Sequence, residues 1–215
     1  MPLQKYHKLT FLLLNSNLIK RFFSSIILLA LLYFIYLNGN DSIFYFCLFV
    51  FLRGIYEIYL LTGLNKTFYL FFIFLAANFL LYSYNIFYGN ILYIFLVTGI
   101  ASMHDIGGYV FGKLFGKTKI SKTISPKKTL EGFIGSYLFI YLFLITLKTL
   151  YNFDIYTMKN CFILTFLSLF SDLLFSKIKR IYKVKDFSSI IPGHGGILDR
   201  IDSSMLIAWY LYFII

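Results

Sequence analysis

The sequence predicts an all-α, polytopic integral membrane protein, and three observations carry that prediction. Of 215 residues, 60% are hydrophobic and only 13% are charged, with a mean hydropathy of +0.78. Soluble domains carry about 25% charge. The apolar residues fall into long runs separated by short polar connections, as expected for helices that cross a hydrocarbon layer roughly 30 Å thick. The cations, finally, are sorted to one side of those runs.

About seven transmembrane helices are predicted. The basic stretch Met1–Arg21 contains Leu9–Leu14, which is too short to cross and reads as an interfacial element. The first span is Phe22–Leu37; no small-x-small cleavage pattern follows it, so it is predicted to be a retained span and not a signal peptide. Ile43–Leu64, Phe68–Tyr88 and Ile91–Met103 come next. A polar loop from His104 to Glu131 precedes Phe133–Leu150 and Cys161–Phe175. The last span is predicted over Ile197–Ile215, about 28 Å at 1.5 Å per residue, because Met205–Ile215 alone is too short. Residues 1–215 thus form a single membrane domain, with N-terminal helices over 1–103 and both polar motifs in 104–215.

With the N-terminus in the cytoplasm, 17 of the 20 Lys and Arg lie on the inner side, Lys148 and Lys159 lie outside, and Arg53 sits within a span. The positive-inside rule therefore accounts for most of the net charge of +11, and nucleic acid is not a predicted partner. Both large polar segments fall on the cytoplasmic side. Cys47 and Cys161 lie in apolar runs without metal-ligand spacing and read as small buried hydrophobes.

Seven of nine acidic residues lie in spans, at span ends or in the two inner loops. A carboxylate at membrane depth costs roughly 2.5–3.5 kcal/mol, so it needs a partner or a task. Asp172, Ser176 and Lys179 share one helical face by spacing, as do Asp199 and Asp202 at the predicted start of the last span. Three such carboxylates suit a divalent cation. Ion pairs with Arg180, Lys185 and Arg200 satisfy the same pattern, and the residues alone leave both readings open. Arg53 and Glu57, four apart, read as a pair that neutralises itself within the bundle; the alternative sends Arg53 toward an anionic substrate.

The stretch Ser176–Ser203 breaks the apolar pattern longest. It combines Lys177, Lys179, Arg180, Lys183, Lys185 and Arg200 with Asp186, Asp199, Asp202 and the turn Pro192-Gly193-His194-Gly195-Gly196. Cations, spaced carboxylates and a turn able to approach a ligand closely are what a polyphosphate and its metal require. In the first polar loop, Gly107, Gly108, Gly112 and Gly116 form no Walker motif. Ser125-Pro126-Lys127-Lys128-Thr129 precedes a helix start and looks like an anion site, although topology alone would also place lysines there. No nucleophile elbow supports Ser-His-Asp chemistry.

The run SKIKRIYKVKDFSSIIPGHGGILDRID, Ser176–Asp202, resembles the signature of phosphatidate cytidylyltransferases, the CDP-diacylglycerol synthases. Ile124–Gly132, ISPKKTLEG, and His104-Asp105 with Gly108-Tyr109 and Gly112 resemble further motifs of that family, so the likeness covers the C-terminal half. Two positions depart from it: Phe175 stands where Glu is common and Leu130 where Trp is usual.

The resemblance implies CTP + phosphatidic acid → CDP-diacylglycerol + pyrophosphate. It implies Mg²⁺ held by Asp172, Asp199 and Asp202, with Asp186 as a further ligand or support. Lys185, Asp186, His194, Asp199, Arg200 and Asp202 become the catalytic set. Lys179, Arg180, Lys185 and Arg200 would hold the phosphates, and Gly193, Gly195 and Gly196 would offer backbone N–H groups beside Ser176. Ser125, Lys127, Lys128 and Thr129 would close over nucleotide or head group, with Asp105 toward cytidine or metal. Partners are then CTP, phosphatidic acid and the bilayer, and a homodimer is admitted. Polyprenol kinase-like and CDP-archaeol synthase-like enzymes remain rivals, as does a transporter or channel with buried charges along its path.

Overall fold

In the computed structural model, residues 33–34, 37–89, 91–151, 157–190 and 195–214 are described. Five helices are long and apolar enough to cross a membrane: α1 (Asn40–Thr62), α2 (Lys66–Phe87), α3 (Ile91–Phe115), α4 (Leu130–Tyr151) and α5 (Met158–Ile181). The short helices α6 (Leu198–Ile201) and α7 (Met205–Ile214) close the chain. The predicted first span and the interfacial element before it fall, but for a few residues, outside the described ones. The membrane-helix class of the fold is borne out; the count among described residues is five span-length helices plus the short apolar α7.

Three predictions need correction. The all-α class holds, but within the predicted polar loop Lys119–Ser121 (β1) and Ser125–Thr129 (β2) pair as an antiparallel hairpin. Glu131 sets the base of that hairpin: its carboxylate accepts from the Thr118 N–H at 3.1 and 3.2 Å. The fourth helix does not stop at Met103 but runs to Phe115, so His104, Asp105, Gly107, Gly108 and Gly112 are helical. Those glycines let α3 and α4 touch backbone to backbone. A Cβ on Gly107 would lie 2.6 Å from the Gly135 carbonyl oxygen. Polar-looking sequence thus became helix because small residues on both partners allow an approach that larger side chains forbid.

The last span is not one continuous helix. The chain turns at Asp202, Ser203 and Ser204, with the Ser204 N–H bonded to the Ile201 carbonyl at 3.1 Å, an i to i+3 pattern that tightens the end of α6. The Asp202 side chain accepts from the Ser203 N–H at 2.9 Å, and the Ser171 hydroxyl donates to the Asp202 carbonyl. Side chains that compete for backbone bonds break the helix here. The ten residues of α7 span about 15 Å.

Two apolar clusters hold the bundle. One joins α3, α4, α5 and α7 through Val97, Ile100, Ile140, Cys161, Leu164 and Ile207, consistent with the reading of Cys161 as a buried hydrophobe. The other joins α1, α2, α5 and α6 through Ile58, Leu75, Phe175, Phe187 and Leu198. Phe175 packs edge-on against Phe71 and Phe187, at 5.2 and 6.0 Å between ring centres. Large apolar side chains such as Leu70, Phe95, Ile134 and Phe166 face outward, as lipid-facing surfaces do.

Candidate active site

The C-terminal ends of α3 and α5 and the N-terminal end of α4 converge with the hairpin and the segment that follows α5. Arg180 links the two polar segments directly, donating to the Ile124 carbonyl at 3.2 Å and to the Val184 carbonyl at 3.0 Å. The expectation that both polar segments share one side of the bundle is therefore met.

A cavity of about 230 Å³ opens between α3, the hairpin, α4 and α5. Asp105, Ser125, Lys127, Lys128, Thr129 and Asp172 line it, with His104, Gly108 and Tyr109 from α3. Five of these six were singled out in sequence as binding residues and one as a metal ligand, so the fold gathers them. Lys128 pairs with Asp172 at the wall, both about a fifth exposed. The Thr129 hydroxyl accepts from the Gly132 N–H at 3.1 Å and caps the start of α4. Asp172 also accepts from Ser176 at 3.2 Å, as their shared helical face requires.

Beside this cavity lies a more deeply buried cluster. The Lys179 ammonium, 10% exposed, meets Asp199 at 2.7 Å and Asp202 at 3.7 Å. The other Asp199 oxygen accepts from the N–H groups of Phe187 at 2.8 Å and Gly196 at 2.9 Å. Gly195 has φ +84°, and a Cβ there would lie 2.9 Å from Asp199 and 3.4 Å from Asp186. Burial first, and the nearby Asp172 carboxylate second, push the Asp202 carboxyl up from 3.8 to about 8. Like charges crowded in a dry place favour a cation, here supplied by lysines.

The predicted metal ligands have other partners in this structure. Asp172 faces Lys128, while Asp199 has both oxygens occupied by Lys179 and two backbone amides. No group of three or more acidic, His or Cys side chains among the described residues forms a ready coordination sphere. Among the described residues these aspartates pair with Lys128 and Lys179, where the sequence offered Arg180, Lys185 and Arg200. Lys185 and Asp186 are exposed on the segment after α5, and Arg200 is exposed on α6. Gly193 and His194 lie outside the described residues.

The residue that sequence reasoning misassigned is Glu57. Fully buried on α1, it does not pair with Arg53. Its carboxylate accepts from Ser188 Oγ at 2.7 Å and from the N–H groups of Ile197 and Leu198, both at 3.0 Å. Arg53 instead lies over the Tyr56 ring, 4.8 Å from its centre. Four-residue spacing made the pair plausible; only the return of the distant 188–198 segment supplied better donors.

Helices of membrane-crossing length around a cation-rich, carboxylate-containing cavity define a multi-pass membrane protein. The sequence profile described as the Cytidylyltransferase family matches residues 7–215, and the chain belongs to that family. Among curated relatives, it is 44% identical over 122 residues to a phosphatidate cytidylyltransferase of Staphylococcus aureus (strain COL), covering 54% of this chain and 45% of that one. Identity is 42% over 120 residues to the protein of that name from Staphylococcus haemolyticus, with coverage of 54% and 45%. It is 40% over 126 residues to that of Bacillus subtilis, with coverage of 57% and 47%. The chain spans about half the length of the curated relatives it matches.

Proposed function

We propose that the protein transfers CMP from CTP to phosphatidic acid, forming CDP-diacylglycerol and releasing pyrophosphate. The observation that carries this reading is the pair of lysine–aspartate clusters set against one cavity in a chain of this family. The relatives' name supplies the reaction, and the site's charges suit it.

The lipid phosphate oxygen attacks the α-phosphorus of CTP; the bond to the β-phosphate oxygen breaks, and pyrophosphate leaves with the electron pair. The nucleophile is already an anion, so no strong base is needed. The task is to bring two anionic substrates together and neutralise developing charge. Lys127 and Lys128 face the cavity from β2 and suit the phosphates; Ser125 offers a hydroxyl. Lys179 keeps the carboxylates of Asp199 and Asp202 oriented.

Asp172 and Asp202 are the carboxylates that would hold Mg²⁺, being hard oxygen donors of the kind it takes. The upward push on the Asp202 carboxyl supports that assignment, because a bound cation relieves it. When bound, the ion would neutralise the triphosphate. Asp199, closed by Lys179 and two amides, serves to shape the turn. The excess of cations near this end argues for a cytoplasmic site, where CTP arrives from water while acyl chains stay in the bilayer.

The test is conversion of labelled CTP to lipid-extractable product by purified protein with phosphatidic acid, with and without Mg²⁺. CDP-diacylglycerol that requires both is expected. A folded protein that makes product only from a polyprenol or an ether lipid, or none at all, would overturn the reading.

A further inference from the structure

We infer that Glu57 is a positioning residue for the reaction proposed above: α1 reaches across the bundle and holds the turn that presents Asp199 and Asp202. The inference rests on where its bonds end. All three hydrogen-bond donors to Glu57 belong to one segment, Ser188 on one side and Ile197 and Leu198 on the other. None belongs to its own helix.

The amides of Ile197 and Leu198 begin α6, where backbone N–H groups have no partner within the helix. A carboxylate from a distant helix satisfies two of them at once, and bonds from an ionised acceptor are the stronger kind. Gly196 makes the approach possible, since a Cβ there would lie 2.7 Å from a Glu57 oxygen and 2.9 Å from Ser188 Oγ.

Asp199 closes the same turn from the opposite side, through Phe187 and Gly196. Two carboxylates therefore grip one short segment: Glu57 through residues 188, 197 and 198, and Asp199 through 187 and 196. With both grips in place, Lys179 reaches Asp199 and Asp202 together. The N-terminal helices thus set the geometry of the charged cluster as well as anchoring the chain.

The test uses the full chain in lipid nanodiscs, comparing Glu57→Ala, Glu57→Gln and Glu57→Asp with the wild type. Hydrogen exchange read by mass spectrometry should show amides 196–198 opening on the order of tenfold faster in the Ala and Gln variants, with the α3–α4 core unchanged. The kcat for CDP-lipid should fall on the order of 10–100-fold, the range seen when groups that orient site ligands are lost, while the KM for CTP moves little. Glu57→Asp should recover part of both. Unchanged protection at 197–198 would overturn the inference. So would protection lost evenly over the whole bundle, or a kcat that falls only with the folded fraction, because Glu57 would then serve the fold alone. If the wild type makes no CDP-lipid, the proposed reaction fails, yet exchange at 197–198 still decides whether Glu57 holds the turn.

Discussion

The two lysine–aspartate clusters differ in a way that separates their tasks. Lys128 and Asp172 stand on a cavity wall, both about a fifth exposed, and Lys128 has no hydrogen bond beyond that ion pair among the described residues. Lys179, Asp199 and Asp202 are more deeply buried; both Asp199 oxygens have partners, as both Asp172 oxygens do. The outer pair lines the cavity, where a substrate phosphate can take the place of one partner. A buried one cannot lose a member without leaving a charge uncompensated. Lys128 and Asp172 line the cavity, whereas Lys179 and Asp199 do not.

Activity should break that comparison most sharply. Asp172→Asn, which removes charge at the cavity wall, is expected to lower CDP-lipid formation on the order of 10²–10³-fold with near-normal folding. Purified protein assayed across Mg²⁺ concentrations checks this, and a retained rate would remove Asp172 from the site.

The lysines should then part company. Lys179→Met strands the buried Asp199 carboxylate and should cost about 3–5 kcal/mol of stability, read as a lowered thermal midpoint. Lys128→Met should lower that midpoint less, because Asp172 keeps the Ser176 hydroxyl, while raising the KM for CTP or lipid. Equal destabilisation by both would erase the distinction between frame and ligand-facing wall.

The pH dependence sharpens the inner cluster. The folded Asp202 carboxyl sits at about 8, above its ordinary 3.8. Its contribution to stability is therefore present at low pH and is lost as pH rises through that window. Metal-free protein should become less stable between those values, and Asp202→Asn should flatten the decline, as melting curves across pH would show. Gly107→Ala is expected to give the smallest change. Its Cβ would meet the Gly135 carbonyl, costing about 1–3 kcal/mol of stability, while kcat per folded molecule holds.

Much of this was legible because it depends on local chemistry. Span positions followed from apolar runs: Ile43–Leu64 and Phe68–Tyr88 differ from α1 and α2 by only a few residues. The cavity residues Ser125, Lys127, Lys128 and Thr129 were visible as a cluster of donors, although the strand that carries them was not. Two paired strands of three and five residues leave little periodic trace, and a bulge between Lys119 and Ser121 blurs even that. His104 and Asp105 looked like loop because their neighbours are glycine; only the matching glycines of α4 made helix the better solution. Phe175, marked in sequence as standing where an acid is common, proves to be a wedge between Phe71 and Phe187.

The sequence by itself determined the membrane-spanning class, the grouping of cations in the polar segments and most of the residues that line the cavity. These follow from composition and from how many helical residues cross a bilayer. The tertiary structure alone decided which charges meet. Lys179 bridges Asp199 and Asp202, Lys128 takes Asp172, and Glu57 leaves its neighbour Arg53 for amides about 140 residues away. The reason is electrostatic: a buried carboxylate takes the best-desolvated donors within reach, and reach is set by how helices pack, not by how close residues lie along the chain.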